Sequence, residues 1–335
     1  MTSNAPILIA FGTRPEEIKI SPLLNQGLNL KLLFTGQHEH LLENNKFDFR
    51  IKPTEGTNRL DQIITDCLTQ FPDERFQAVL VQGDTASAFG CALAAFNRQT
   101  PVIHLEAGLR SFDLDHPYPE EGYRLMVSRI AALNLCPTES SKQNLLDEKV
   151  PGRIEVTGNT VLDHLHSFKE GETYGNHVLI TMHRRENHHI MGQWFQILNT
   201  LAKNHPELEF ILPLHPNPAV KKHRDLLTHI HVIEPMKHHD FIEKLSQAKL
   251  LITDSGGLQE EGSFFNKRVI VCRETTERPE AIASGHSTLC HSPANLPMLF
   301  EEVNDSHEIV SSCPFGDGFS GKRVANLLNQ MNWNS

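Results

Sequence analysis

Short apolar runs recur along the chain, and within most of them the hydrophobic positions are consecutive rather than alternating. Such runs are typical of strands that are buried on both faces of a parallel sheet. Amphipathic stretches separate many of these runs and predict helices, so the pattern indicates a doubly wound α/β fold. The predicted strands are 6–11, 30–34, 78–82, 101–104, 132–136, 153–156, 177–181, 208–213, 230–233, 249–253 and 268–272, and the predicted helices include 87–97, 123–132, 140–148, 193–204 and 239–248.

The pattern is weakest over residues 167–176, which are polar and contain Gly171 and Gly175. A chain of 335 residues is long enough for two domains, so we place the domain boundary there. Two α/β halves facing one another would leave a cleft at the carboxyl ends of their strands, where such folds bind ligands.

Composition narrows the classes of function. Charged residues make up 21% and hydrophobic residues 39%, as in ordinary globular proteins. The net charge of −10 disfavours nucleic acid as a partner. No apolar run is long enough to cross a membrane, and nothing near Met1 resembles a secretory signal, so we expect a cytoplasmic protein.

Cysteine and histidine give no indication of a metal site. The six cysteines are scattered without a C-x-x-C pair, and we expect free thiols. The chain has 20 histidines, but no H-E-x-x-H motif. The doublets at 188–189 and 238–239 lack partners at metal-ligand spacing and are expected in solvated loops.

The first predicted strand is followed by a segment that suits a helix start. Gly12 allows a tight turn, and Thr13 with Glu16 forms a capping box. Arg14 and Lys19 add positive charge near this helix N-terminus, an arrangement that favours an anion such as phosphate. A plain capped helix with surface charges explains the segment equally well.

A second helix start follows strand 249–253, in the sequence DSGGLQEE. Gly256 and Gly257 would expose backbone N–H groups to a diphosphate or a ribose. The carboxylates of Glu260 and Glu261 would repel a phosphate bound at these N–H groups, so they more plausibly bind sugar hydroxyls. Glu261 is the better placed of the two. The chain has neither a G-x-G-x-x-G motif nor an ATP-type P-loop, so we expect no dinucleotide cofactor.

Acidic residues follow the strand ends of the first half. Asp84 and Glu106 come after two predicted strands, and Glu120 and Glu121 lie in a proline-containing loop before a helix. Each alone is more often a helix cap or a surface charge. Three carboxylates at one cleft would suit the removal and return of a proton.

Cations gather in strand-end loops of the second half, although the whole chain is acidic. The segment 183–187 (HRREN) follows a predicted strand, and Arg278 lies in a similar loop. This pattern favours an anionic small molecule rather than an anionic polymer.

Together these segments resemble the UDP-N-acetylglucosamine 2-epimerase family. Ten segments match in the order of the family from end to end, which makes the resemblance specific. They are 11–19 (FGTRPEEIK), 35–38 (TGQH), 83–85 (GDT), 104–110 (HLEAGLR), 117–121 (PYPEE), 137–146 (PTESSKQNLL), 156–163 (VTGNTVLD), 183–187 (HRREN), 253–261 (TDSGGLQEE) and 275–281 (TTERPEA).

The resemblance implies a glycosyltransferase-B type fold, with two Rossmann-like domains and the active site between them. The N-terminal domain, 1–166, would carry the catalytic acids, and the C-terminal domain, 175–318, would bind UDP. Residues 319–335 would form a helix that returns to the first domain. The implied reaction interconverts UDP-N-acetylglucosamine and UDP-N-acetylmannosamine by eliminating UDP to 2-acetamidoglucal and adding it back, without a cofactor or metal and in a homodimer.

The family's functional residues carry over by position. Asp84, Glu106 and Glu120 match the catalytic acids, with no assignment of which removes the proton and which returns it. His183 matches a histidine near the diphosphate that can stabilise departing UDP. Bacterial non-hydrolysing members also bind a second UDP-N-acetylglucosamine as an activator. The implied substrate-binding residues are Arg14, Lys19, Ser255, Gly256, Gly257, Glu261 (at the ribose) and Arg278, and those of the activator site are Gln37, His38, Arg184 and His215.

Departures from the family pattern fall mostly in the activator segments. The family's Q-H-R-E-M reads QHEHL over 37–41, and H-L-N-P-N-V reads HPNPAV over 215–220. The usual E-A-N-R reads EGYR over 121–124. We therefore expect the chemistry to be retained and activation by the substrate to be weakened or lost.

Four other readings stay open. The hydrolysing branch of the family would release N-acetylmannosamine and UDP with nearly the same residues. Another epimerase could act on a different UDP-2-acetamido sugar. A glycosyltransferase of the same fold would share UDP binding but not the three acids, and a non-catalytic UDP-sugar-binding protein would be expected to lack at least one of them.

Overall fold

The computed structural model describes residues 5–38, 47–171, 173–305, 309, 311–331 and 333. The chain divides into two compact units, an N-terminal unit of Met1–His164 with Gly316–Ser335 and a C-terminal unit of Leu165–Phe315. This division precedes the stretch 167–176, where the hydrophobic pattern is weakest. A 3₁₀ helix, Thr160–Gly171, occupies the chain across the division.

The N-terminal unit is built on a parallel sheet. Its strands lie in the spatial order β3-β2-β1-β4-β5-β6-β7, and their bounds are β1 Ile7–Phe11, β2 Leu30–Phe34, β3 Phe49–Arg50, β4 Ala78–Gln82, β5 Val102–Leu105, β6 Leu133–Cys136 and β7 Arg153–Val156. Its helices are α1 Arg14–Leu24, α2 Arg59–Thr69, α3 Ala86–Asn97, α4 Glu120–Ile130, α5 Glu139–Asp147 and, from the end of the chain, α12 Ser320–Gln330.

Both faces of this sheet are buried, which explains why its strands are apolar at consecutive positions. Leu8 and Ala10 of β1 face a core that includes residues of α2, α3 and α4. Ile9, the residue between them, faces the opposite core, which Val324 and Leu328 of α12 complete. Helix α12 packs on α1 and is therefore part of this unit's core, although it is distant in sequence.

The C-terminal unit contains a second parallel sheet. Its strands lie in the order β10-β9-β8-β11-β12-β13, and their bounds are β8 His177–Thr181, β9 Glu209–Pro213, β10 His231–Ile233, β11 Leu250–Thr253, β12 Arg268–Val271 and β13 Ser287–Leu289. Its helices are α6 Met191–Asn204, α7 Pro218–Lys221, α8 His238–Ser246, α9 Gly257–Phe264, α10 Pro279–Ala283 and α11 Leu296–Asp305. Trp194 and Leu198 of α6 are buried against Val178, Ile180 and Ile252 of the sheet.

The predicted doubly wound α/β class is confirmed, and the predicted strands agree with the observed ones to within about a residue at either end. Strand β3 was not predicted because two residues are too few to show a hydrophobic pattern, and β13 was not predicted because only one of its three residues, Leu289, is apolar. The five cysteines at 67, 91, 136, 272 and 290 are buried free thiols, and Cys313 is a half-buried one.

Two local predictions are wrong. Glu120 and Glu121 were expected in a loop, but they form the first turn of α4, where their negative charge suits the helix N-terminus. His238 and His239 were expected in a solvated loop, although the predicted helix 239–248 already included His239. Both are exposed, but they open α8, and His238 Nε2 lies 3.1 Å from Glu261 Oε1.

Candidate active site

Two of the predicted acids lie where neighbouring parallel strands of the N-terminal sheet end. Asp84 follows β4 and Glu106 follows β5, and β4 pairs with β5 through Gln82 and Leu105. Glu106 has a φ of 66°, in the left-handed region that non-glycine residues rarely adopt. Backbone strain of this kind persists only when the surrounding structure holds it and is common at functional sites.

Glu106 is held by a dense set of donors. Lys19 of α1 donates from Nζ to both carboxylate oxygens at 2.6 Å, and the two side chains are only 19% and 8% exposed. Gln82 Nε2 also donates to this carboxylate, and Asn159 Nδ2 lies 3.5 Å from Oε1. Lys19, which was predicted to lie near the phosphate, therefore forms a salt bridge with one of the predicted acids.

Asp84 is held by a different cation, Arg124 of α4. The guanidinium donates to Asp84 Oδ2 from both Nε, at 3.0 Å, and Nη2. The third acid, Glu120, begins the same helix, and in the described part of the chain its Oε2 is buried without a hydrogen-bond partner. An unpaired buried acceptor costs free energy unless a further donor reaches it, which makes Glu120 a candidate to meet substrate.

A buried histidine supports the turn that carries Asp84. His104 of β5 lies 2.8 Å through Nε2 from the carbonyl oxygen of Gly83, a residue with a φ of 70°. Complete burial lowers the pKa of His104 to about 4, so the ring is neutral at pH 7. Because a carbonyl oxygen can only accept, the neutral ring carries its proton on Nε2, and this hydrogen bond supports the turn at Gly83.

The predicted anion site at the start of α1 is partly occupied by the protein itself. The capping box is present, and the buried Glu16 carboxylate accepts from the N–H groups of Gly12 and Thr13 at 2.9 and 2.7 Å. Burial raises the pKa of Glu16, while hydrogen bonds, the largest from Thr85, oppose that rise. Arg14 is half exposed and pairs with Glu17 at 2.6 Å.

The two residues of the predicted activator site in this unit, Gln37 and His38, lie next to the turn at Gly12 that precedes α1. Gln37 Oε1 accepts from the N–H and Oγ of Ser87 at 3.2 and 2.7 Å, and the N–H of His38 donates to Gly12. Gly12 is needed for close approach, because a Cβ there would lie 2.2 Å from Ser87 Oγ. The altered residues 39–41 lie outside the described residues.

In the C-terminal unit, the loop that carries His183 is held by Asp254, which is fully buried just after β11. Asp254 Oδ2 accepts from the N–H groups of His183 and Arg184 at 3.0 and 2.9 Å and from Asn187 Nδ2 at 3.1 Å. The imidazole of His183 stacks on that of His215, with 5.2 Å between ring centroids.

Burial and the neighbouring charges shift the pKa of His183 in opposite directions. Burial is the largest influence and lowers its pKa, and His215, Arg184 and His188 act in the same direction. Asp254, with Oδ1 3.7 Å from Nδ1, raises the pKa and offsets part of that effect. The net pKa of His183 lies below its usual value of 6.5, so a neutral imidazole with an N–H to donate is favoured at pH 7.

The second helix start is open at one of its two glycines. Gly256 is the N-cap of α9, and a Cβ there would lie 2.8 Å from both Arg278 Nη1 and Glu277 Oε1, whereas a Cβ at Gly257 would meet no atom within 4 Å. Ser255 lies directly before the two glycines, and its N–H donates to Thr253 Oγ1 at 2.9 Å. A ligand can therefore approach the backbone closely at this helix N-terminus.

Glu261 and Arg278 differ in whether their polar atoms already have hydrogen-bond partners within the protein. Glu261 is buried, and in the described residues its Oε2 has no hydrogen-bond partner. Arg278 donates from Nε to Glu260 at 2.6 Å and from Nη1 to Glu277 at 2.7 Å. Burial would raise the pKa of Glu277, but Arg278 and Arg273 outweigh it and lower that pKa to about 2.

Within the described ranges, no group of three or more His, Cys, Asp or Glu side chains could hold a metal ion. In the same part of the chain, no helix combines the length and apolar character that a membrane span requires.

Comparison with known proteins decides the family. The family model described as UDP-N-acetylglucosamine 2-epimerase matches residues 23–329. The UDP-N-acetylglucosamine 2-epimerase of Neisseria meningitidis serogroup A is 36% identical, over 96% of this chain and 98% of that one. The chain belongs to the UDP-N-acetylglucosamine 2-epimerase family.

Solved structures agree with this assignment. A crystal structure of the Neisseria meningitidis UDP-GlcNAc 2-epimerase bound to UDP-GlcNAc superposes with a TM-score of 0.84 at 34% identity and covers 97% of this chain and 100% of that one. MurG of Acinetobacter baumannii shares the fold alone, with a TM-score of 0.64 at 14% identity over 97% of this chain and 99% of that one. The predicted glycosyltransferase-B type fold and the predicted enzyme class, an epimerase of UDP-N-acetylglucosamine, are confirmed.

Sequence reasoning missed the residues that hold the predicted site residues in place. Asp254 was quoted only as a member of a matching segment, Arg124 only in EGYR, a departure from the family pattern, and His104 only as the end of a predicted strand and the start of HLEAGLR. No local spacing signals these roles, because Arg124 lies 40 positions from Asp84 and Asp254 lies 71 from His183. The family's E-A-N-R segment is the one hint for Arg124, since its arginine is present here.

Proposed function

We propose that this enzyme interconverts UDP-N-acetylglucosamine and UDP-N-acetylmannosamine through 2-acetamidoglucal. A carboxylate removes the proton on carbon 2 while the bond from carbon 1 to the UDP oxygen breaks, which leaves a carbon–carbon double bond. UDP then adds back to carbon 1 as a proton returns to the opposite face of carbon 2. Atoms and charge balance without a redox cofactor.

The observation that carries the proposal is the arrangement of acids in the N-terminal unit. Glu106 contacts Lys19, Asp84 contacts Arg124, and Glu120 has a buried oxygen with no partner in the described residues. Carboxylates in such different surroundings can serve as base and acid in one reaction. We keep Asp84, Glu106 and Glu120 as the catalytic acids, without dividing the two proton transfers among them.

We assign UDP to the C-terminal unit. The helix start at Gly256–Gly257, which is open at Gly257, would offer N–H groups to the diphosphate, and the unpartnered Glu261 oxygen can accept from a ribose hydroxyl. His183, neutral and fixed by Asp254, would donate to the diphosphate as UDP departs. Arg14, Lys19, Ser255 and Arg278 stay as proposed substrate contacts, although Lys19 and Arg278 already pair with carboxylates in the free protein.

Activation by a second substrate molecule is proposed to be weakened or lost. Gln37 is occupied by Ser87, and His215 stacks on His183, so both have internal partners before any ligand binds. Hyperbolic dependence of rate on UDP-N-acetylglucosamine is the expected result, and sigmoidal dependence would contradict it. The expected homodimer and cytoplasmic location stay predictions.

A proton NMR time course in heavy water tests the reaction. The pure enzyme with UDP-N-acetylglucosamine should give a mixture of the two UDP-sugars that carries deuterium at carbon 2. Accumulation of free N-acetylmannosamine and UDP would indicate the hydrolysing branch instead. An unchanged substrate would point to another UDP-2-acetamido sugar or to a protein that only binds.

Matched variants test the acids. Asp84→Asn, Glu106→Gln and Glu120→Gln should each slow deuterium incorporation by about 100-fold or more, the usual contribution of a general acid or base. Glu139→Gln, at an exposed acid on α5 of the same unit, should incorporate deuterium at the wild-type rate. Wild-type rates in all three acid variants would refute the assignment.

A further inference from the structure

A buried chain of charges joins Asp84 to the loop before α4. Arg124 is 8% exposed; it contacts Asp84 Oδ2 through Nε and Nη2, and through Nη1 it contacts Glu121 Oε2 at 3.0 Å. Glu121, with a side chain 1% exposed, accepts in turn from the N–H groups of Ser111 and Phe112 at 3.1 and 3.2 Å.

The Glu121 end of this chain of charges contacts a segment with a strained backbone. Phe112 has a φ of 59°, a left-handed conformation that a bulky residue adopts only when its surroundings impose it. The Glu121 carboxylate accepts the Phe112 N–H and is therefore in contact with the strained residue itself. The loop 111–119 leads directly into Glu120, the first residue of α4.

Arg124 is suited to this place because it stays charged. Burial alone would lower its pKa, but Asp84 and Glu121 outweigh burial and raise it above the usual value. A guanidinium has a rigid, planar fork of donors, so it can fix the position of two carboxylates at once, whereas an ammonium group is a point charge.

We propose that Arg124 is a positioning residue that orients Asp84 and, through Glu121, the loop 111–119 that leads to Glu120. Two acids from separate elements thereby keep one geometry. The part that concerns catalysis rests on the proposed function, since Asp84 and Glu120 matter to the reaction only if they act as its acids. The part that concerns the loop does not depend on it.

Arg110 offers a matched control in the same unit. Its side chain is fully buried, and it donates to Glu148 from Nε at 2.6 Å and from Nη2 at 2.9 Å. Its other contacts are with the carbonyl of Leu109 and the hydroxyl of Ser128. Loss of Arg110 therefore removes a buried guanidinium whose hydrogen bonds go elsewhere than to the three predicted acids.

The first experiment compares Arg124→Ala with Arg110→Ala in the heavy-water assay, with and without guanidinium ion. Misplacement of a catalytic group typically costs about 100-fold in rate, so Arg124→Ala should lose about that much in kcat with little change in KM. Guanidinium is added at concentrations that leave the thermal unfolding midpoint unchanged. It should raise the kcat of Arg124→Ala to a plateau and should not raise the kcat of Arg110→Ala. Wild-type kcat in Arg124→Ala, or equal rescue of both variants, would overturn the proposal.

Hydrogen exchange of the Ser111 and Phe112 amides gives a second readout that needs no activity. Arg124→Lys keeps the charge but loses the fork, so these amides should exchange faster than in wild type and faster than in Arg110→Lys. Equal protection in all three proteins would overturn the proposal even if the wild type proved inactive. A wild type without deuterium incorporation, together with faster exchange in Arg124→Lys, would instead refute the proposed function and support the positioning role.

Discussion

His104 should make the stability of the N-terminal unit depend on pH below neutrality. Its pKa is about 4 in the folded protein against 6.5 in the unfolded chain, because complete burial disfavours the charged ring. The unfolded chain therefore binds a proton that the folded unit excludes, so stability is fully present above pH 6.5 and is lost as pH falls towards 4. A difference of this size amounts to about 3 kcal/mol.

The perturbation is His104→Gln. A glutamine amide can place a nitrogen near the position of Nε2 and keep the hydrogen bond to the Gly83 carbonyl, but it does not titrate. Between pH 7 and pH 4 the wild-type unit should lose about 3 kcal/mol more than the variant. Acids such as Glu16 titrate in both proteins, so their contribution cancels in the comparison.

The two tryptophans of the chain make the measurement specific. Trp333 packs against the core of the N-terminal unit, and Trp194 is buried in the C-terminal unit. In a Trp194→Phe background, urea unfolding followed by fluorescence reports the N-terminal unit. His164→Gln is the matched control, because this histidine also contacts a backbone carbonyl, that of Ile18, but is exposed. If the wild type and His104→Gln lost equal stability on acidification, burial of His104 would not be the source of the pH dependence.

Two further predictions concern the other site elements. Asp254→Asn removes the negative charge that raises the pKa of His183, so that pKa should fall further below 6.5; histidine NMR titration would show it, and an unchanged or raised pKa would contradict the assigned contact. Gly12→Ala should destabilise the N-terminal unit by about 1–3 kcal/mol through its clash with Ser87, measured by urea unfolding. Gly122→Ala is its control, because a Cβ there meets no atom within 4 Å and alanine favours the helix by about 1 kcal/mol; equal effects of the two variants would refute the clash.

The amino-acid sequence alone determined the fold class and the positions of Asp84 and Glu106 at strand ends. Strands buried on both faces are apolar throughout, so their pattern is local and visible without a structure. The capping box of Thr13 and Glu16 is likewise local, because its two members are three residues apart. Strand ends in a parallel sheet share one edge, so acids that follow neighbouring strands could be expected together.

Only the tertiary structure decided which cation meets which acid. Lys19 lies 87 positions from Glu106, and Arg124 lies 40 positions from Asp84. Such pairings depend on strand order and on how α1 and α4 pack, which hydrophobic periodicity does not encode. The sequence therefore predicted Lys19 as a phosphate contact, whereas in the folded chain its ammonium group lies on Glu106, because a buried carboxylate needs a nearby positive charge.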